Sequence, residues 1–290
     1  MLHRYLRSLF LFLIAIAPAV SAQAEPLVLE PSAPWNLDYS EDSCRLARPF
    51  GTDAKQVLLV LESFAPDRTV DARVIGKSLA GDGNLYQPVT FGFGPDRPLV
   101  KKDEAVSGNI GPDKVPMLML GELDLLNRTY HDAKGSGPTA EQEAATSEFE
   151  IRMRITHLLL KTGSFKAPME ALRQCTGDLV KAWGLNPAQQ ERRRSAPVPL
   201  GKPGNWVTSN DYPSAALSKG ESAWVNFRLL VDATGKATAC HIQLATKSPA
   251  LKDLTCKLLL ARAQFKPAIG EDGQPIASYY RNAVRWMASR

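Results

Sequence analysis

The 290 residues carry a formal net charge of +5, with 44% hydrophobic and 22% charged side chains, an ordinary balance with enough apolar mass for two cores at roughly 100–200 residues each. Beyond the N-terminus no apolar run reaches the ~20 residues that a spanning helix needs, which excludes a polytopic helical membrane protein. The charge is uneven: residues 205–290 hold +5 and the first 24 hold +2, leaving −2 for the rest.

The chain opens with His3, Arg4 and Arg7, then an apolar stretch over residues 9–22, then Ala22-Gln23-Ala24. A basic flank, a short apolar core and small residues at cleavage spacing form the pattern of a secretory signal peptide, with a mature start near Glu25. The alternative is an uncleaved anchor, for which 14 apolar-run residues are short. Nucleic acid is not expected as a partner of an exported chain, and a membrane is expected only if the N-terminal segment is kept. Four cysteines in an exported chain point to disulfides. Pairing Cys44 with Cys175 and Cys240 with Cys256 keeps each bridge within one domain.

Residues 25–34 read as a loose start, and Trp35 opens the first domain. Residues 56–63 are rich in Val and Leu and short enough for a buried strand. Val70, Ala72 and Val74 alternate with Asp71 and Arg73, a half-buried strand. Gly81-Asp82-Gly83-Asn84 is a turn signal. Residues 86–93 and 117–126 are further strands, with loop expected over 94–116 and 131–138. Residues 139–147 read as a short helix or an excursion. Phe149, Ile151, Met153 and Ile155 then alternate with polar neighbours, as in a strand. From Pro168, residues Met169, Leu172, Cys175, Leu179 and Trp183 recur on one helix face, and Gly184 ends it. Residues 25–185 therefore read as a mainly antiparallel β domain closed by one helix. Residues 186–205, with Arg192-Arg193-Arg194 and four prolines, read as a linker.

In the C-terminal domain, 206–290, residues 213–217 suggest a short helix. Val225, Phe227, Leu229 and Val231 form the buried face of a strand. After Gly235 the chain returns with Cys240, Ile242 and Leu244 on one face. Leu251, Leu254 and Leu258 mark a helix, and residues 275–287 a last strand. The expected class is α+β, with a helix on a three-stranded antiparallel sheet in this domain.

No chemistry emerges from the motifs. Of four histidines, His3, His131, His157 and His241, no two stand at metal-ligand spacing. No nucleophile elbow or phosphate loop is present in the sequence. Asp38, Glu41 and Asp42 near Trp35 and Tyr39 suggest a sugar-like site only weakly, because carboxylates are usually just exposed. No catalytic, cofactor-binding or metal-binding residue is expected, and the chain is read as a binding protein rather than an enzyme.

Asp211-Tyr212-Pro213, the strand at 225–231, Cys240-His241-Ile242, residues 262–268, Gly273-Gln274-Pro275 and the strand ending at Trp286 follow one another in an order that resembles the TonB C-terminal domain. The resemblance implies strand addition, an extended peptide of an envelope protein pairing with an exposed sheet edge. It implies the periplasm as the place, and TonB-dependent outer-membrane receptors among the candidate partners. The implied edge is the last strand, with Tyr279, Arg281 and Arg285 as partner-binding residues. A force-transmitting TonB keeps a membrane helix and a long Pro- and Lys-rich stalk, whereas this chain has a globular first domain. Two alternatives stay open: a TonB-type energy transducer with the apolar segment kept as anchor, and a periplasmic enzyme with its site in the first domain.

Overall fold

The computed structural model describes residues 25–79, 86–129, 137–245 and 248–288. The segment expected to be a signal peptide, the turn expected at 81–84 and His131 lie outside them. Among the described residues no helix is long and apolar enough to cross a membrane.

The first domain contains β1 (Leu27–Leu29), β2 (Asn36–Tyr39), β3 (Cys44–Phe50), β4 (Val57–Ser63), β5 (Val70–Gly76), β6 (Tyr86–Gly94), β7 (Val100–Ile110), β8 (Val115–Leu123), β9 (Glu148–Arg152) and β10 (His157–Lys161). They make one sheet in the order β1-β10-β9-β6-β7-β8-β5-β4-β3-β2. Every neighbouring pair is antiparallel except β1 and β10. On β5, Val70, Ala72 and Val74 are buried while Asp71 and Arg73 turn outward, as the alternation requires.

Two segments read as loop are strand. Residues 25–34 are not loose: β1 lies beside β10, and the chain just after it bonds to the end of β3, through Gly51 N–H to Glu30 C=O at 2.8 Å and Ser32 N–H to Pro49 C=O at 3.0 Å. One segment thus joins both flanks of the sheet and closes it on itself. Residues 100–110 form β7 despite a run of Lys, Asp, Glu, Ser and Gly, because β6 and β8 satisfy its backbone on both sides.

Three helices follow in this part of the chain: α1 (Ala140–Ala145), started by a Thr139 and Gln142 capping box, α2 (Lys166–Ala182) and α3 (Pro187–Arg192). Leu172, Cys175 and Leu179 of α2 are buried in the same core as Phe50, Phe93, Phe149 and Phe165. Cys175 forms a disulfide with Cys44, with Cα atoms 6.0 Å apart. Closing a loop of that span contributes about 4–5 kcal/mol in the chain-entropy picture.

The C-terminal part holds β11 (Val198–Pro199), α4 (Ser214–Ser218), β12 (Ala223–Val231), β13 (Ala237–Ala245), α5 (Pro249–Arg262), β14 (Phe265–Lys266), β15 (Ala268–Ile269), β16 (Pro275–Ile276) and β17 (Ser278–Trp286). The central sheet runs β13-β12-β17, with β12 in the middle and all pairs antiparallel. α5 covers one face, where Val225, Phe227, Leu229, Val231, Leu251, Leu259 and Trp286 are buried. Together the two parts make an α+β molecule. The last strand is interrupted: Pro275 and Ile276 pair with β15, and only from Ser278 does the chain join β12. Gly235 makes the β12–β13 turn at φ 86°, and a Cβ there would lie 2.0 Å from the Phe265 carbonyl oxygen, so no other residue fits. Cys240 and Cys256 bond β13 to α5, with Cα atoms 5.5 Å apart.

Residues 186–205 are tied to the C-terminal domain at several points. β11 pairs with β14, Gln190 is buried, and Arg194 N–H bonds Ile269 C=O at 2.8 Å. The arginine triplet is partly engaged as well: Arg192 pairs with Glu271 at 3.0 Å, and Arg193 lies over the Tyr279 ring at 5.1 Å.

Candidate functional site

β17 is an outer strand, paired with β12 from Ser278 opposite Val231 to Trp286 opposite Ala223, with no strand on its other side among the described residues. In an antiparallel strand alternate residues direct both peptide groups to the same side. The Ala283 N–H is held by the Asn282 side-chain oxygen at 2.8 Å, and the Ala277 carbonyl accepts from Gln190 Nε2 at 2.8 Å. Odd-numbered residues therefore face away from β12, and Arg281, Ala283 and Arg285 present their N–H and C=O groups on the open side. Asn282 also donates to the Tyr280 hydroxyl at 2.7 Å, so its side chain lies folded along the edge.

The side chains of β17 divide between two faces. Tyr280, Val284 and Trp286 go to the α5 side. Tyr280 packs on Phe265 and Trp206, and Trp286 donates to Thr255 Oγ1 at 2.8 Å. Tyr279, Arg281 and Arg285 share the other face with Trp224, Arg228 and Leu230 of β12. Half of that face is covered by the first domain. Tyr279 is buried against Ala65 and Val180, with its ring 5.3 Å from Trp183. Arg281 is ion-paired with Asp67, donates to Gln243 Oε1 at 3.1 Å and lies over Phe64 at 5.2 Å. Arg228, only 2% exposed, bonds Asp42 at 2.9 Å with its guanidinium 3.9 Å from the Trp183 ring centre. Gln243 donates to the carbonyls of Asp42 at 3.4 Å and Phe64 at 3.2 Å.

The other half of the face is open. Trp224 is 48% exposed and Leu244 47%. Leu244 departs from the face shared by Cys240 and Ile242 because β13 is irregular between its pairings with Asn226 and Phe227. That extra residue lets Gln243 and Leu244 both turn away from α5. Arg285 is exposed, lies over the Trp224 ring at 5.8 Å and donates to Met287 Sδ at 3.2 Å. Of the three residues read from the sequence as partner-binding, two thus meet the chain's own first domain, and Arg285 alone stands on the open half.

The electrostatics follow the contacts. Burial pushes the Tyr279 phenol up to about 12, with Asp67 adding to it. Burial lowers the Arg228 guanidinium, opposed by the bond to Asp42. Beyond the interface, Glu62, Asp71 and Glu122 occupy matching positions on β4, β5 and β8. Burial raises the carboxyl groups of Asp71 and Glu122, while Arg73 opposes it at the first and Arg281 at the second.

The weakly suggested sugar-like cluster is dispersed. Trp35 turns inward onto Phe50 and Phe165, Asp38 pairs with Arg45, and Asp42 with Arg228. Sequence reasoning did not reach Arg228, Gln243, Asn282 or Asp67, and it placed Asp42 in another cluster than the interface where it pairs with Arg228. The alternation of β12 does put Arg228 opposite the core residues, so its outward direction was readable, but its acidic partner lies far off in the chain.

A family model described as the Gram-negative bacterial TonB protein C-terminal matches residues 208–287. The match agrees with the resemblance read from the motifs and spans α4 to β17. No curated protein matches the chain.

Proposed function

We propose that a TonB-like C-terminal module serves this chain as a binding device, in an exported protein of the Gram-negative envelope that works in the periplasm. In this reading an extended segment of another envelope protein, such as an outer-membrane receptor, adds as a strand along β17. The observation that carries it is the open side of β17, where Arg281, Ala283 and Arg285 direct their peptide groups away from β12. Backbone pairing of this kind supplies affinity, and alternate side chains supply selectivity. The two disulfides support an oxidising compartment. The role is binding rather than chemistry, and the first domain holds the module from behind while leaving the edge accessible.

The test is site-specific photo-crosslinking in cells with the full chain. A crosslinking residue at Asn282 is expected to trap a discrete envelope protein through an extended segment, and one at Lys257, exposed on α5, is not. Ala283→Pro removes an N–H that β12 does not use, so the protein should stay folded while the crosslink is lost. Equal trapping from both positions, or trapping that survives in folded Ala283→Pro, overturns strand addition.

A further inference from the structure

The face of the C-terminal sheet that turns away from α5 repeats one arrangement. Across β12 and β17 its side chains stand in directly opposed rows: Leu230 with Tyr279, Arg228 with Arg281, Asn226 with Ala283, and Trp224 with Arg285. The first domain covers the first two rows. It gives each arginine there an aromatic ring and a carboxylate. Arg228 has the Trp183 ring at 3.9 Å and Asp42 at 2.9 Å, and Arg281 has the Phe64 ring at 5.2 Å and Asp67. Arg285, in the last row, already has a ring, Trp224 at 5.8 Å, but it pairs with no carboxylate among the described residues.

The last two rows are open, and they continue the covered surface without a break. Gln243 donates to the carbonyls of Asp42 and Phe64, so the first domain reaches as far as the residue before Leu244. Beyond it lie Leu244, paired with Asn226, then Trp224 and Met287, each about half exposed. Trp224 Nε1 donates to Asn226 Oδ1 at 2.7 Å, which holds the indole along the sheet. A shallow cleft of about 160 Å³ lined by Trp224, Arg285 and Met287 adds depth. Apolar and aromatic area around a single arginine is the composition of an interface core. A second copy of the chain does not suit it, because a two-fold contact through this patch brings Arg285 towards Arg285.

We propose that this open half of the sheet face is a second docking surface, and that it takes a turn of a folded protein carrying an aromatic side chain beside an aspartate or glutamate. The chain's own Phe64-Ala65-Pro66-Asp67 shows the chemistry: its ring lies against the Arg281 guanidinium and its carboxylate pairs with the same group. Asp67 N–H donates to the Ala65 carbonyl at 2.7 Å, so the segment turns tightly enough to present both groups together. On the open half the partner's carboxylate pairs with Arg285, and its ring covers Trp224 and Leu244. Covering them excludes water from the ion pair and strengthens it. Side chains alone make this surface. It uses no backbone pairing with β17, so it does not depend on the strand-addition reading.

The test titrates the full chain, labelled for NMR, with a head-to-tail cyclic peptide of Ser-Phe-Ala-Pro-Asp-Gly and with the same ring carrying Asn for Asp. The Asp ring should shift the Trp224 indole N–H and the Leu244 methyl signals, and it should bind about fivefold more tightly than the Asn ring, the upper end for an exposed ion pair. In Arg285→Gln, at an exposed position and with an unchanged thermal melt, the two rings should bind alike. Leu244 lies on β13, across β12 from the open edge. Shifts confined to the backbone amides of residues 281–285 therefore mean pairing along β17, and they overturn the face assignment while strand addition stands. Equal binding of the Asp and Asn rings to the wild type overturns the carboxylate. No shift of Trp224 or Leu244 at millimolar peptide overturns the surface itself. Shifts of the same signals that grow with protein concentration in the absence of peptide give the surface to a second copy and overturn the assigned partner.

Discussion

Asp211 and Glu122 show how single carboxylates respond to opposite surroundings. Asp211 caps the turn before α4 by accepting from Thr208 N–H at 2.8 Å, and it takes both arms of Arg262 at 2.7 Å. These bonds to Arg262 and Thr208 hold its carboxyl far below the usual range. Its contribution is present above the unfolded carboxylate pKa of about 4 and is lost as pH falls further. Glu122 accepts from Thr69 at 3.0 Å, but burial raises its pKa, and of the charges around it Asp67 and Asp71 add to the rise while Arg281 opposes it. Its charge is a burden at neutral pH that is relieved as pH falls through its raised pKa. Asp211→Asn should therefore lower the melting temperature at pH 7 by an amount that starts to shrink only below pH ~4, whereas Glu122→Gln should raise it at pH 7 by an increment that shrinks towards pH ~4. Melting curves of both variants from pH 3 to 7 check the two signs. Asn282 makes a third residue-scale case. Its side chain occupies the Ala283 N–H that an added strand would use, so Asn282→Ala should tighten peptide binding by about two- to twelvefold, since a typical net hydrogen bond is worth about 0.5–1.5 kcal/mol. Isothermal titration with an extended peptide of alternating Val and Thr measures it.

Among the elements, those with a strong period were legible. β5 and β12 alternate, and α2 and α5 repeat at helical spacing, so their types and burial faces followed from residue order. β3 was hidden because Arg48 interrupts the apolar face of Cys44, Leu46 and Phe50, and β7 because a strand held on both sides by neighbours needs no apolar stripe. β1 is only three residues long, and its pairing partner β10 is remote in the chain. The irregularity at Gln243 leaves no mark in composition. The edge position of β17 could be inferred from the order of elements. Which of its side chains stay free could not, because that depends on where the first domain docks. The Cys240–Cys256 bridge, across a separation of 16 residues, lies on the α5 side of the sheet, away from the open face. The double variant Cys240→Ser with Cys256→Ser is expected to lose about 3 kcal/mol of stability and to bind peptide unchanged. Urea unfolding beside titration separates the two effects.

At the scale of the molecule, the basic C-terminal domain and the net negative first domain meet through opposite charges of one chain. Arg228–Asp42 and Arg281–Asp67 flank the Trp183–Tyr279 ring pair. Trp183 Nε1 and Arg228 Nε are buried there without a hydrogen-bond partner among the described residues. Each such group costs about 1–3 kcal/mol, so the junction holds with a narrow margin. The wild type should melt in a single transition. Arg228→Ala leaves Asp42 without its buried partner, a loss of about 3–5 kcal/mol, and should split the calorimetric trace into two. A single transition that persists in the variant would show that the domains couple by other means.

The closure of the first sheet also sets a timetable. Residues 27–32 are among the earliest to be synthesised, yet one of their two neighbours, β10, is among the last strands of the domain to appear. Until Leu158, Leu159 and Leu160 arrive, β1 has nowhere to pair on that side. Such long-range pairing makes maturation slow relative to the sequential hairpins of β2 to β5. The nascent domain therefore spends its longest wait with adhesive strand flanks bare, when a chaperone is most useful and self-association most dangerous.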